Sequence, residues 1–135
     1  MHLNSAKGDF GWDSFSWQKL LRLAEQYGWR PAGTTLPREE LKWMPGGKWD
    51  GRYTSNDGQA VTAADARNLA EALDRALRDI PSEDVIAQYR APSGGIQILP
   101  NPPAISDLDW FCGNETRARI REFISYCYAG EFRIS

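Results

Sequence analysis

A chain of 135 residues, 41% hydrophobic and 25% charged, has the size and composition of one globular domain, large enough to fold without a disulfide or metal staple. Sixteen basic against eighteen acidic residues leave a net charge of −2, which argues against a nucleic-acid partner. With one histidine, His2, and two cysteines, Cys112 and Cys127, in no CxxC spacing, a zinc site of Cys and His cannot be assembled.

No stretch approaches the ~18 apolar residues needed to cross a bilayer, and residues 1–10 carry one lysine and no apolar run. The expected location is therefore the cytoplasm, with no membrane partner. There the cysteines are expected to be reduced and buried, a disulfide between them being the alternative.

In chain order, the first ~8 residues are polar and expected to be flexible, although Phe10 and Trp12 alternate as a short strand would. A helix should start at Ser14 or Ser16. Trp17, Leu20, Leu21, Ala24 and Tyr27 form its apolar stripe, and Gly28 supplies a left-handed end. Residues 31–51 are punctuated by Gly33, Pro37, Pro45, Gly46 and Gly47 and read as loop, with room for a helical turn or two over residues 38–44. Trp43 and Trp49 lie in that loop, where two indoles either fold back onto the core or are offered to a partner.

Residues 51–54 and 59–61 suggest a small hairpin around the turn Asn56-Asp57-Gly58. Thr62, with Asp65 three residues on, has the pattern of a capping box. Ala66, Leu69, Ala70, Leu73, Leu77 and Ile80 follow on one face, and burying each of the larger four contributes roughly 1.5–3 kcal/mol. On the opposite face Glu71 and Arg75 are ordered for an i,i+4 pair, and Pro81 ends the helix.

Residues 84–90 fit either strand or helix, and residues 96–99 fit a short strand. Ser106 or Asp107 can cap a turn through Trp110 and Phe111. The last helix starts after Asn114 and buries Ile120, Phe123, Ile124 and Cys127, with Gly130 at its end and a terminal strand through Phe132 and Ile134. Arg75 and Arg78, like Arg117, Arg119 and Arg121, read as solvated helix faces. The expected fold is α+β in a single domain over residues 1–135. Three main helices, near 14–28, 62–80 and 115–129, pack with a small, mainly antiparallel sheet.

Catalytic signatures are sparse. A Ser-His or Cys-His pair has only His2 to draw on, and neither GxGxxG nor GxxxxGK[ST] occurs. Asp57, Asp65, Asp107 and Asp109 could converge as acid and base, yet each has a local explanation as turn former, cap partner or helix N-terminal charge. The Asn56-Asp57-Gly58 run lacks the DxDxDG spacing of a calcium loop, and Ala64 stands where its distal Glu belongs. No cofactor or metal is expected.

The run Tyr53-Thr54-Ser55-Asn56-Asp57-Gly58-Gln59-Ala60-Val61-Thr62-Ala63-Ala64-Asp65-Ala66, with Leu69, Leu73 and Ile80-Pro81 behind it, resembles small bacterial proteins of uncharacterised function. So does the ending Phe123-Ile124-Ser125-Tyr126-Cys127-Tyr128-Ala129-Gly130-Glu131-Phe132. Such proteins resemble the immunity partners of polymorphic toxins, which are non-catalytic and cover a toxin's active site or lock its conformation. The resemblance implies a cognate toxin domain as partner and transfers no site residues. The residues themselves nominate Trp43, Trp49 and Tyr53 as anchors and Glu39, Glu40, Asp50 and Asp57 as acidic contacts. A small enzyme using Asp or Glu, and a homo-oligomeric subunit, are the alternatives.

Overall fold

A computed structural model describes residues 1–89 and 104–135. The chain opens with two strands, β1 (His2–Ser5) and β2 (Gly8–Gly11), followed by helix α1 (Ser14–Gln26) and a short helix α2 (Arg38–Leu41). Strand β3 (Gln59–Val61) leads directly into α3 (Ala63–Leu77). A short α4 (Asp107–Trp110), a long α5 (Asn114–Tyr128) and the terminal strand β4 (Phe132–Ile134) complete the fold. Single 3-10 turns occupy Pro45–Gly47 and Ala87–Tyr89. The architecture is α+β, with a four-stranded, wholly antiparallel sheet in the order β2-β1-β4-β3.

The three long helices form where caps and apolar stripes coincide. Thr62 Oγ1 accepts from the Asp65 amide at the start of α3 (3.2 Å), and Asp13 does the same for Ser16 ahead of α1 (2.7 Å). α1 closes in a Schellman turn: the Trp29 amide reaches the Ala24 carbonyl (2.9 Å), the Gly28 amide reaches that of Glu25 (3.2 Å), and Gly28 takes φ +101°. α3 packs chiefly on α5, and the sheet lies against them through Leu3, Val61, Phe132 and Ile134. Trp17, Trp29, Phe111 and Phe123 fill the centre.

Several expectations are corrected. The N-terminus is not a flexible tail but half of the sheet: Leu3 pairs with both Phe10 and Ile134. Phe10 packs on Phe123 (5.4 Å) and Tyr126 (5.7 Å), and this burial outweighs the low strand propensity of Gly8, Asp9 and Gly11. Residues 51–54 form no strand, so the hairpin around Asn56-Asp57-Gly58 is absent. The buried Gln59 side chain instead donates to the carbonyls of Ser55 (2.7 Å) and Arg52 (3.3 Å) and accepts from the Asp57 amide (2.9 Å), satisfying groups a partner strand would have taken. Arg75 does not pair with Glu71; it donates twice to the Tyr27 carbonyl (3.0 and 2.7 Å), capping the end of α1. Residues 84–89 hold one 3-10 turn, and the strand expected over 96–99 lies outside the described residues.

Asp107 is not simply a helix N-terminal charge. It is 8% exposed and bound by Arg22 (2.7 and 2.5 Å) and Gln26 (3.2 Å), with Lys19 at 4.0 Å, so it bolts α4 to α1. The Arg22 hydrogen bonds hold its carboxyl below the usual carboxylate range, against the upward pull of burial. Both cysteines are buried free thiols. Among the described residues, no helix is long and apolar enough to cross a membrane.

Candidate functional site

The stretch between α1 and β3 makes a long excursion from a narrow base. At that base Thr34 donates from its amide to the Gly51 carbonyl (3.1 Å) and from its hydroxyl to the Arg52 carbonyl (2.6 Å). Thr35 forms a two-bond bridge with Ala60 (3.0 and 2.8 Å), which also covers the open edge of β3. The two chain segments nearly touch at Gly33 and Gly51. Gly51 adopts φ +76°, and a Cβ there would stand 3.2 Å from the Gly33 Cα.

Replacing Gly51 by Ala therefore meets both a left-handed backbone and a backbone contact that cannot swing away. The expected destabilisation is about 2 kcal/mol or more. Gly46→Ala, at φ +71° with nothing within 4 Å of the added carbon, keeps only the backbone cost of about 1–2 kcal/mol. Paired urea titrations of the two variants separate the contributions.

Beneath the base lies a buried carboxyl group. Asp65, 1% exposed in the first turn of α3, accepts from Trp29 Nε1 (3.0 Å), the Ala32 amide (3.3 Å) and the Tyr53 hydroxyl (2.5 Å). Tyr53 in turn accepts from the Gly33 amide (2.9 Å), and its carbonyl accepts from Trp17 Nε1 (2.8 Å). The capping box is thus half formed. Thr62 caps the Asp65 amide, but the Asp65 side chain turns inward to tie three segments together. That role needs partners 12 to 36 residues away.

Burial, and then the bond to Asp65, push the Tyr53 hydroxyl above its ordinary 10.0. Burial raises the Cys127 thiol above its ordinary 9.0. Both groups stay protonated in the fold at a pH where the unfolded chain releases its protons. Their contribution is therefore complete below about pH 9 and is lost as pH rises through and beyond 9–10. Urea midpoints measured from about pH 8 to 11 should fall, and Tyr53→Phe should flatten the part above about pH 10.

Above the base the nominated residues divide. Trp43 is 78% exposed, with the Lys42 ammonium 5.2 Å from its ring centre. Glu39 and Glu40 are exposed on α2, and Asp50 and Asp57 are exposed on the chain that follows it. Trp49 is half-buried: its indole donates to Thr34 Oγ1 (3.0 Å), and the Arg52 guanidinium stacks on its ring at 4.7 Å while bridging Asp50 (3.3 Å). Tyr53 is 9% exposed and faces the core, so it supports the loop from below and lacks the exposure of an anchor. The four carboxylates do not make the surface uniformly acidic, because Arg38, Lys42, Lys48 and Arg52 interleave with them. Such a pattern fixes register more than it generates a field.

The carboxylates weighed as acid and base lie apart in their bonding. Asp65 and Asp107 belong to separate networks, Asp57 is exposed, and the Asp109 amide is capped by Ser106 Oγ (3.1 Å). Among the described residues, no group of three or more His, Cys, Asp or Glu could hold a metal ion. A groove of about 440 Å³ runs beside α1, lined by Gln18, Leu21, Arg22, Glu25 and the edges of Trp29 and Tyr53. A second aromatic surface, which the sequence reading missed, joins Phe15, 69% exposed, to Trp110 at 6.0 Å with Lys19 over both rings. Its sequence signals are Phe15 lying off the α1 stripe and Trp110 lying outside the strong helical stripes.

No family model, curated protein or solved structure matches the chain.

Proposed function

We propose that this chain is a non-catalytic, cytoplasmic protein-binding domain of the bacterial immunity type, which neutralises a cognate toxin by inserting the loop around Trp43 over its active site. The observation that carries this reading is the exposure of Trp43 above a fixed base. An indole that the fold leaves 78% in water, on a loop whose two ends are hydrogen-bonded together, has the chemistry of an interface anchor and adds nothing to the core. Glu39, Glu40, Asp50 and Asp57 supply the surrounding polar rim, with Trp49 bracing it from behind.

The test is co-expression with the product of each flanking reading frame. One of them is expected to arrest growth when expressed alone, to be relieved by this chain, and to co-elute with it as a stoichiometric complex. Absence of both rescue and complex for every flanking product would sink the proposal.

A further inference from the structure

We infer that residues 37–48 form a separable recognition module: the fold stands without them, and the specificity of the domain for its partner resides in them. The inference rests on the loop-insertion reading above for the partner and on the fold alone for the separability. None of the described side chains in residues 37–48 is buried. Every hydrogen bond and ring contact described for the segment closes within it. The amides of Glu40 and Leu41 reach the Pro37 carbonyl (3.0 and 3.2 Å), Trp43 reaches Glu40 (3.1 Å), Met44 reaches Leu41 (3.0 Å) and Gly47 reaches Met44 (2.9 Å). Lys42 rides on the neighbouring Trp43 ring.

The boundary is sharp on both sides. Leu36 is buried at 9%, Trp49 bonds to Thr34, and from there inward the chain is held by Thr35–Ala60, Thr34–Gly51 and Tyr53–Asp65. A segment with only local bonds opens without disturbing the core, whereas bonds that cross between elements open with it. Because the base closes on itself, the fold needs only a short connection from Leu36 to Trp49. The partner that fits the remaining surface is a protein with an apolar cleft wide enough for one indole. The mixed charges of Arg38, Glu39, Glu40 and Lys48 set the orientation.

The experiment replaces residues 37–48 by a six-residue Gly/Ser linker, which spans up to about 20 Å. The expected result is cooperative unfolding with Tm within about 4 °C of the intact chain, since loop length enters closure entropy only logarithmically. Complex formation with the purified flanking-gene product that binds the intact chain is expected to be lost. Hydrogen exchange of the intact chain provides the second measurement. Amides of residues 40–47 should exchange at a rate insensitive to denaturant, and those of Thr35 and Ala60 only with global unfolding. Exchange of residues 40–47 tied to global unfolding overturns separability; it also decides the matter should the linker variant fail to fold. A linker variant that folds and still binds the partner leaves separability intact but removes recognition from the loop. If no flanking product binds the intact chain, the immunity reading fails while Tm and exchange still decide separability.

Discussion

Replacing Asp65 by Ala is expected to destabilise the fold by about 3–5 kcal/mol, lowering Tm by about 10–20 °C. Two buried donors, Trp29 Nε1 and the Tyr53 hydroxyl, would lose their acceptor together, along with the part-buried Ala32 amide, and each orphaned buried donor costs about 1–3 kcal/mol. Against the 5–15 kcal/mol that holds a domain of this kind together, the loss is severe. Asp65→Asn keeps one carbonyl oxygen and presents an NH2 to the other donors, so its cost should be smaller, about 1–3 kcal/mol. Tyr53→Phe removes one of the three donors, and in a double-mutant cycle with Asp65→Ala the two losses should fall short of additivity. A cycle that closes to within about 0.3 kcal/mol would mean that the two side chains do not act as one unit.

The different ways in which Thr62, Asp65 and Gly8 were read show what a sequence carries and what it does not. Thr62 capping α3, and the stripe through Leu69, Leu73 and Leu77, were legible because cap and helix face are local: every partner lies within a few residues. The same holds for Gly28 at the end of α1 and for Phe132 and Ile134 in β4. Asp65 was legible only in its local half. Its backbone takes the expected cap, but its carboxyl group finds partners from two other segments, and nothing within three residues announces that. The first ~8 residues read as flexible tail because their strands are imposed from outside, by the pairing of β1 with β2 and β4 and by Phe10 on α5.

At the candidate site, Trp43 and the acidic residues of α2 were legible as a loop bearing an unspent aromatic group. Whether each ring turned in or out was not. Tyr53, expected in a short strand, and Trp43, expected in the loop, were both nominated as anchors, yet one is buried against Asp65 and the other stands in water. Tyr53 is held inward by its hydroxyl, which donates to Asp65 and accepts from the Gly33 amide, contacts across 12 and 20 residues that local sequence does not announce.

That division of roles leads to the second large effect. On the function proposed above, Trp43→Ala is expected to weaken the complex with the cognate partner at least 30-fold, about 2 kcal/mol or more, while moving Tm by no more than about 2 °C. The fold does not use this indole, so its removal leaves no cavity and orphans no hydrogen bond; its only described ring contact is the Lys42 ammonium. The partner, by contrast, would lose the group that fills its cleft. Trp49→Ala should behave in the opposite sense. It strips Thr34 of one partner and Arg52 of its stacking platform, so it costs stability as well as affinity. Calorimetric titration of both variants against the purified partner, with thermal melts of the free proteins, separates the two. A Trp43→Ala protein that binds as tightly as its parent would remove this side chain, and with it the insertion mechanism, from consideration. Loss of affinity matched by an equal loss of Tm would show instead that the loop acts through the fold.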